Sequence, residues 1–378
     1  MTDVRCMLLN ILVLAIVLLS ITMCAAKTKN PERVLDREVD NNNTPGIAYI
    51  HFDRDGIVYS YANGLADVKE QRKMTLHTRL HAFSVTKTIT AVAILQLQEQ
   101  GLLDIDDPAS RYLPGFPYNK DITIRQLLTH TAGIKNPMPL NWVHLADEHE
   151  RFNPGAFFSP IFTRHSKLKS VPGTKMSYSN LGYVLLGDII EAVSGKGYEE
   201  YITEHVFSKM NGEHRPGFRL TNTFMAKGYQ KRWSFMNLVL GFLIDKKKLM
   251  GKPEGRWKPF NDYYLNGSAY GGLITSAEGM AQYGQALLQG RLLQAESMKE
   301  LFTEQILPGG KPAGMGMSWF TGQLNGHRYV HHAGGGGGYY VEFRLYPDIN
   351  CGSIVMFNRS GMKDEKFLDK VDTRILRR

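Results

Sequence analysis

The chain has 378 residues, of which 43% are hydrophobic and 21% charged, an ordinary balance for a globular protein with a large core. It contains no fixed-period repeat and no low-complexity tract, which excludes solenoid and propeller architectures. The net charge is +9, but the basic residues are dispersed and no nucleic-acid-binding motif accompanies them, so we expect no nucleic-acid partner.

The first 26 residues have the features of an export segment. Arg5 precedes an apolar run over residues 7–23, and Cys24-Ala25-Ala26 supplies the small residues that a signal peptidase requires. The run is long for a cleaved signal and short for a full membrane span, so residues 1–26 are predicted to be a signal peptide or an N-terminal membrane anchor. We expect a periplasmic, secreted or membrane-anchored protein, with membrane association through this segment.

Two helices and a hairpin are predicted in the first half of the remaining chain. Residues 46–51 and 56–61 are apolar, β-prone runs around an Asp-Gly turn, which is typical of a hairpin. Residues 84–100 predict a long helix that ends at a glycine and is apolar all round in its middle, so it should be buried. Residues 181–193 predict a second helix.

The second half of the chain predicts helices and strands in alternation. Residues 233–244 are apolar with basic flanks, which fits an interfacial membrane helix or, more simply, a core or lid helix. Residues 277–288 predict a helix, and residues 339–346 and 352–357 predict strands. Five apolar residues share one face of a terminal helix: Phe367, Leu368, Val371, Ile375 and Leu376.

Strands therefore occur at both ends of the chain, and helices fill the middle. This order predicts an α/β fold of the α+β type, with an antiparallel sheet built from both termini and flanked by helices. A mainly helical lobe, about residues 84–264, is inserted into a sheet lobe formed by about residues 27–83 and 265–378.

A Ser-x-x-Lys motif, Ser84 to Lys87, opens the long apolar helix. Residues three apart on a helix are neighbours, so Lys87 stands one turn above Ser84. Burial at a helix N-terminus lowers the pKa of a lysine, and a neutral lysine can take the serine proton. The same pattern recurs at Ser166 and Ser360, but neither of these opens an apolar helix. We therefore assign Ser84 as the nucleophile and Lys87 as its partner.

Two further elements carry chemistry. Tyr178-Ser179-Asn180 combines a phenol that can share a proton relay with an amide that can bind a substrate carbonyl. The segment His332-Ala333-Gly334 opens a run of five glycines that leads into a predicted strand, not into a helix as a phosphate cradle would. Such glycines let a substrate backbone approach closely, or form a flexible hairpin loop.

Taken together and in this order, the three elements resemble the serine β-lactamase and penicillin-binding-protein superfamily, with class C β-lactamases, family VIII esterases and D-Ala-D-Ala carboxypeptidases as relatives. Residues 127–133, 172–174 and 271–273 add to the resemblance, which runs from about residue 32 to the C-terminus. It implies the roles that follow. Ser84, Lys87 and Tyr178 are catalytic, the backbone N–H groups of Ser84 and Gly335 form the oxyanion hole, and the substrate is bound by Asn180, His332 and Gly334.

The resemblance also implies that His130 holds a loop and that no metal or organic cofactor takes part. The chain departs from the family because it has no Lys-x-Gly, and His332 stands where true β-lactamases place a cation for the substrate carboxylate. We therefore expect ester hydrolysis to exceed β-lactam hydrolysis, and His332→Lys to raise β-lactam acylation.

Other classes of protein fit less well. No serine has the Gly-x-Ser-x-Gly spacing of an α/β-hydrolase, and the chain lacks the His-Glu-x-x-His of a zincin. The expected substrate is a small-molecule ester, amide or β-lactam, or a cell-wall peptide. The leading hypothesis is a serine hydrolase of esters or small amides. The alternatives are a β-lactamase or D-Ala-D-Ala carboxypeptidase and a non-catalytic binding relative, which would be expected to have lost one of the three catalytic residues.

Overall fold

The structure is a computed structural model that describes residues 30–221, 224–234, 244–361 and 366–376. The predicted export segment and most of the apolar segment 233–244 lie outside the described residues. Among the helices of the described part, none is both long and apolar enough to cross a membrane.

The helices and strands follow the predicted order, with strands at both ends of the chain. The described strands are β1 (Gly46–Asp53), β2 (Ile57–Asp67), β3 (Arg72–Lys73), β4 (Leu80–His81), β5 (Val143–Leu145), β6 (Tyr229–Lys231), β7 (Trp257–Pro259), β8 (Tyr263–Leu265), β9 (Ile274–Thr275), β10 (Phe320–Leu324), β11 (His327–Gly336), β12 (Tyr339–Tyr346) and β13 (Cys351–Phe357). The described α-helices are α1 (Glu32–Asp40), α2 (Thr86–Glu99), α3 (Ile124–Leu128), α4 (Pro154–Arg164), α5 (Asn180–Ser194), α6 (Tyr198–His205), α7 (Lys246–Leu249), α8 (Ser268–Gly271), α9 (Ala277–Leu288), α10 (Ala295–Phe302) and α11 (Phe367–Ile375).

A seven-stranded sheet joins the two ends of the chain. Its strand order is β10-β11-β12-β13-β1-β2-β3, and β1 pairs antiparallel with both β2 and β13. Three two-stranded pairs complete the described sheet structure: β4 with β9, β5 with β8, and β6 with β7. The fold is therefore the predicted α/β arrangement, with a large antiparallel sheet covered by helices.

Both faces of the sheet are buried, because side chains alternate between two layers of helix. On β1, Ile47 and Tyr49 pack in the cluster that includes residues of α1 and α11, whereas Ala48, Ile50 and Phe52 join the main core. Helix α9 lies against that second face so closely that a Cβ at Gly284 would come within 2.3 Å of the Phe52 ring. Close packing of α9 on the sheet therefore requires a glycine at position 284.

Helix α2 runs through the centre of the molecule, as its apolar sequence predicts. All of its residues from Thr86 to Leu97 are buried. Helix α5 runs from Asn180 to Ser194 and is capped by Gly195, whose φ of 70° is the left-handed conformation that glycine adopts most readily. Because α2 and α5 pack against each other, Ser84, in the turn just before α2, and Asn180, the first residue of α5, are brought to the same region. The precise boundaries of the two predicted lobes stay a prediction.

Candidate active site

One cavity of about 790 Å³ collects six of the seven residues that the sequence assigns to the site. They are Ser84, Tyr178, Asn180, His332, Gly334 and Gly335. The seventh, Lys87, is fully buried and does not line the cavity, but its Nζ contacts the Ser84 hydroxyl. Most other wall residues are apolar or aromatic, among them Leu140, Trp142, Phe260, Tyr263, Leu265, Phe320, Tyr339 and Tyr340. An apolar cavity whose polar groups gather around one serine is a typical small-molecule site.

A strained turn presents Ser84 to this cavity. Strand β4 ends at His81, and Phe83 then adopts a φ of 47°, in the left-handed region that a bulky side chain rarely enters. Such a conformation costs on the order of 1–3 kcal/mol and persists only where its surroundings enforce it. Here the Thr86 hydroxyl donates to the Phe83 carbonyl at 2.6 Å and accepts from the Leu273 N–H at 3.1 Å. The turn is therefore held by a second part of the chain.

Lys87 is placed to act on the Ser84 hydroxyl. Its Nζ lies 3.1 Å from Oγ of Ser84 and donates to the Tyr270 carbonyl at 2.7 Å. Burial lowers the pKa of Lys87 well below its ordinary value, and no carboxylate among the described residues contributes to offset that shift. A neutral amine at this distance can accept the serine proton, as the spacing in the sequence predicts.

Tyr178 lies beside the same pair of residues. The Lys87 Nζ is 5.0 Å from the centre of the Tyr178 ring. Burial raises the pKa of Tyr178, and a hydrogen bond with the Ser84 side chain offsets only part of that rise. The phenol is therefore protonated near neutral pH. It can pass a proton on, but it is a weaker candidate than Lys87 for the group that first removes the serine proton.

His130 fixes the loop that carries Tyr178. Its Nδ1 accepts from the Ser179 N–H at 3.1 Å, its carbonyl accepts from the Ser177 N–H at 2.7 Å, and its ring lies 4.2 Å from the Tyr178 ring. Burial lowers the pKa of His130 well below its ordinary value, so the ring is neutral. These contacts fit the structural role that the resemblance implied for His130.

Three residues that line the cavity carry a buried polar atom without a hydrogen-bond partner within the described chain. These atoms are Oδ1 of Asn180, Nδ1 of His331 and Nε2 of His332. An unpartnered buried polar atom costs about 1–3 kcal/mol, so a ligand that satisfied one of these atoms would recover that energy. Of the three groups, the Asn180 amide and the His332 ring are the two that the sequence also assigns to substrate binding.

The protonation of His332 follows from its surroundings. Burial is the main cause that lowers its pKa to about 3, so the ring is neutral at all ordinary pH values. Its Nδ1 lies 2.8 Å from the Ala333 carbonyl oxygen, which can only accept, so we assign the ring proton to Nδ1. The unpartnered Nε2 is then a hydrogen-bond acceptor.

Gly334 lets strand β11 approach the nucleophile. A Cβ at this position would lie 2.2 Å from the Ala82 carbonyl oxygen and 2.8 Å from the Ser84 backbone nitrogen. Any side chain here must push β11 away from the Ser84 turn. The five-glycine run is therefore the end of a strand and a tight turn, in which Gly337 and Gly338 have positive φ values.

We expect Gly334→Ala to damage both folding and activity, because the new methyl group meets backbone atoms that cannot move independently. Overpacking of this kind costs about 1–3 kcal/mol of unfolding free energy, and the displaced strand would carry the Gly335 N–H out of place. Gly335→Ala is the matched control, since its Cβ would meet only the Tyr340 ring edge at 3.2 Å and the Tyr339 carbonyl oxygen at 3.5 Å. Denaturant unfolding and ester hydrolysis of both variants test this. Equal losses in the two would contradict the account.

The other Ser-x-x-Lys motifs are not arranged in this way. Ser166 is exposed, in the loop that follows α4. Ser360 borders the cavity, but its hydroxyl donates to the Gln230 side chain, and its Lys363 lies outside the described residues. Of the three serines, Ser84 is the one that the described structure pairs with a buried lysine.

Some contributors to the site carry no sequence signal of their own. Thr86 lies inside the Ser-x-x-Lys motif, and its hydroxyl bonds to the Phe83 carbonyl. The same hydroxyl also accepts from the N–H of Leu273, which is distant in sequence, so the motif alone does not predict this contact. The Tyr270 carbonyl is a backbone acceptor that any residue could supply. The cavity walls come partly from residues within 135–170 and 212–265, and partly from sheet residues, including Phe320 and Tyr340.

Comparison with known proteins identifies the family to which the chain belongs. A family model described as beta-lactamase matches residues 32–376. Penicillin-binding protein 4* of Bacillus subtilis (strain 168) is 28% identical over 309 residues, which are 80% of this chain and 66% of that protein. This chain therefore spans slightly less than two thirds of that curated relative.

Solved structures agree with the fold. An octameric penicillin-binding protein homologue from Pyrococcus abyssi superposes with a TM-score of 0.70 at 25% identity, over 91% of this chain and 76% of that one. The D-amino acid amidase from Ochrobactrum anthropi SV3 superposes with a TM-score of 0.74 at 19% identity, over 91% and 97% of the two chains, and this likeness concerns the fold alone. Since the family model covers nearly the whole described chain, the protein belongs to the beta-lactamase family of serine hydrolases.

Proposed function

We propose that this protein hydrolyses esters or small amides through an acyl-enzyme on Ser84. The observation that carries the proposal is the contact between Ser84 Oγ and Lys87 Nζ, at 3.1 Å, with the lysine fully buried and its pKa lowered. A buried lysine without an acidic partner among the described residues has a high energetic cost for a fold, and its position beside a serine in a cavity favours a catalytic purpose.

The proposed reaction begins when the Ser84 hydroxyl gives its proton to neutral Lys87 while Oγ attacks the substrate carbonyl carbon. The backbone N–H groups of Ser84 and Gly335 would hold the oxyanion, and Asn180 would accept a hydrogen bond from the substrate or donate one to it. Protonated Lys87, through the Tyr178 phenol, would then give a proton to the leaving group as the bond to it breaks. Water would release the acyl group by the reverse sequence of proton transfers.

The substrate preference follows from His332. A neutral ring that presents a lone pair at Nε2 attracts a hydrogen-bond donor and repels a carboxylate oxygen. β-Lactams and peptides with a free C-terminus carry such a carboxylate, whereas simple esters and amides do not. The apolar walls of the cavity likewise favour a neutral substrate with an apolar acyl or leaving group.

We therefore expect kcat/KM for neutral short-chain esters to exceed that for cephalosporins and for D-Ala-D-Ala peptides. A panel of the three substrate classes, with Ser84→Ala as the blank, measures this directly. Faster turnover of cephalosporins than of esters would contradict the preference. It would leave the Ser84 acyl-enzyme intact and require another cation for the carboxylate.

The expected effect of His332→Lys is smaller in light of the structure. A charge-assisted hydrogen bond is stronger than a neutral one, by up to about 2 kcal/mol. A lysine at this buried position would, however, meet the same desolvation that lowers the pKa of His332. We expect only a modest gain in β-lactam acylation, with ester hydrolysis reduced because Nε2 is lost.

A second candidate function, a β-lactamase or D-Ala-D-Ala carboxypeptidase, is favoured by one observation. The curated relative that matches 80% of this chain is named a penicillin-binding protein. The same substrate panel separates the two functions, because both would use Ser84 and differ only in the substrate that acylates it.

Export is part of the proposal. We expect residues 1–26 to be removed, or to hold the protein in a membrane, because the apolar run and Cys24-Ala25-Ala26 fit a signal segment. Fractionation of native cells, followed by N-terminal sequencing, tests this. A freely soluble cytoplasmic protein that still begins at Met1 would rule it out.

A further inference from the structure

Three side chains from distant parts of the chain meet outside the cavity that holds Ser84. They are His77, in the loop before β4; His214, in the loop after α6; and Glu278, in the first turn of α9. Each offers one ligand atom, and these atoms lie within 4.8 Å of one another. The His77 Nδ1 is 2.7 Å from a Glu278 carboxylate oxygen, and the His77 and His214 rings stack at 3.9 Å.

Hydrogen bonds and close packing hold the chain segments that carry these three side chains next to one another. The Glu278 N–H donates to the Leu76 carbonyl at 3.3 Å. The His214 carbonyl oxygen packs onto α9 so closely that a Cβ at Gly279 would lie 2.5 Å from it. The Gln282 side chain donates to the second carboxylate oxygen of Glu278 at 3.3 Å, which orients the carboxylate. The three residues therefore face one another because of the fold.

An ion pair alone does not account for this arrangement. One histidine is enough to pair with Glu278, yet the His214 ring stacks on His77 at 3.9 Å although the ion pair does not need it. A divalent metal ion would use all three side chains, because imidazole nitrogens and carboxylate oxygens are its ligands. Two imidazoles and one carboxylate are a ligand set that Zn²⁺ takes, with a fourth position left to water.

The geometry requires only small movements. Tetrahedral Zn²⁺ with bonds of about 2.0–2.1 Å needs ligand atoms roughly 3.3 Å apart. Side-chain rotation can close the present spacing, since the side chains of His77 and Glu278 are 45% and 22% exposed. We propose that His77, His214 and Glu278 form a binding site for a divalent transition-metal ion, with Zn²⁺ as the preferred ion.

The place of this site in the fold gives the metal a structural role. His77 precedes β4, which leads to the Ser84 turn, and Glu278 follows β9, which pairs with β4. Gly217, shortly after His214, exchanges both backbone hydrogen bonds with Ile274 of β9. A bound ion would therefore link the three neighbouring chain segments that carry His77, His214 and Glu278. It would also restrict movement of β4, the strand that leads to Ser84.

Calorimetric titration of Zn²⁺ into the purified chain, after its metals have been removed with a chelator, tests the proposal. We expect one Zn²⁺ per chain, and binding at least about 100-fold weaker in Glu278→Gln and His214→Ala, because loss of a ligand exceeds the ~10–100-fold cost of losing an outer partner. His149→Ala is the matched control. His149 belongs to another histidine pair, with its Nδ1 2.9 Å from the His144 Nε2, and its loss should not change the affinity.

Thermal unfolding supplies the second measurement and checks that each variant folds. In chelator, the ligand variants should melt as the unmodified protein does, and Zn²⁺ should raise Tm only in the unmodified protein and His149→Ala. Mg²⁺ should have no effect, because it prefers oxygen ligands. Absent Zn²⁺ binding, unchanged affinity in both ligand variants, or a loss of affinity in His149→Ala would overturn the proposal. Hydrolytic activity plays no part in these measurements, so their outcome is independent of the proposed function.

Discussion

Ser84→Ala is expected to reduce hydrolysis of every substrate by roughly 10⁴–10⁶-fold, as loss of the nucleophile does in other serine hydrolases. The reason is the loss of the one oxygen that lies both in the cavity and 3.1 Å from Lys87 Nζ. The substitution removes a single oxygen from a half-buried side chain, so the variant should fold and melt close to the unmodified protein.

Two control variants make this prediction specific. Ser166→Ala alters the exposed copy of the same motif and should leave activity unchanged. Ser360→Ala alters a hydroxyl on the cavity wall that bonds to Gln230, and it should change KM at most. Steady-state kinetics on one neutral ester suffices for all three variants. More than about 1% residual activity in Ser84→Ala, with a normal melting curve, would show that another nucleophile carries the reaction.

Lys87→Met should lower kcat by about 10²–10⁴-fold, the usual contribution of a positioned general base. Methionine fills much of the space of the buried lysine but cannot accept the Ser84 proton. The substitution leaves Ser84, Asn180 and His332 in place, so KM should change little. A variant in which KM rises and kcat is unchanged would indicate that Lys87 binds substrate and does not move a proton.

Lys87→Met should also change how the unfolding free energy depends on pH, and the direction of this change can be derived. Burial lowers the pKa of Lys87 in the folded protein, whereas the unfolded chain protonates it below about 10.4. Between these two pKa values the unfolded chain binds more protons, so the unfolding free energy contributed by Lys87 rises with pH. The stability of the unmodified protein relative to Lys87→Met should therefore increase from neutral pH towards pH ~10. Chemical unfolding at several pH values measures it, and a difference independent of pH would contradict a neutral Lys87.

Much of the fold follows from local sequence pattern. The predicted helix at residues 277–288 is α9, with the same bounds, and the predicted strand at residues 339–346 is β12. Both segments combine clear periodicity with strong boundary residues, such as the Ser276 side chain that caps α9. The predicted hairpin is β1 and β2, although β1 runs to Asp53 and β2 to Asp67, beyond their predicted ends at residues 51 and 61. Pairing with β13 and β3 extends them, and a local pattern does not contain that information.

In the site, too, some features depend on the local sequence and others on residues that are distant in the chain. The arrangement of Ser84 and Lys87 depends on one helical turn, so spacing alone predicts their contact. The left-handed Phe83, the protonation of His332 and the Tyr270 carbonyl on Lys87 depend on which chain segments fold against them. The same limit applies to His77, His214 and Glu278, whose separation in sequence matches no metal-binding spacing.

The most direct test of the proposed mechanism is to label the nucleophilic serine covalently and locate the adduct. The purified protein is treated with a fluorophosphonate, digested, and mapped by mass spectrometry, with Ser84→Ala and Lys87→Met treated in parallel. We expect a single adduct on the peptide that contains Ser84, no adduct in Ser84→Ala, and much slower labelling in Lys87→Met, because the serine is then no longer activated. An adduct on Ser166 or Ser360, or labelling of Ser84 that is as fast without Lys87, would contradict the mechanism.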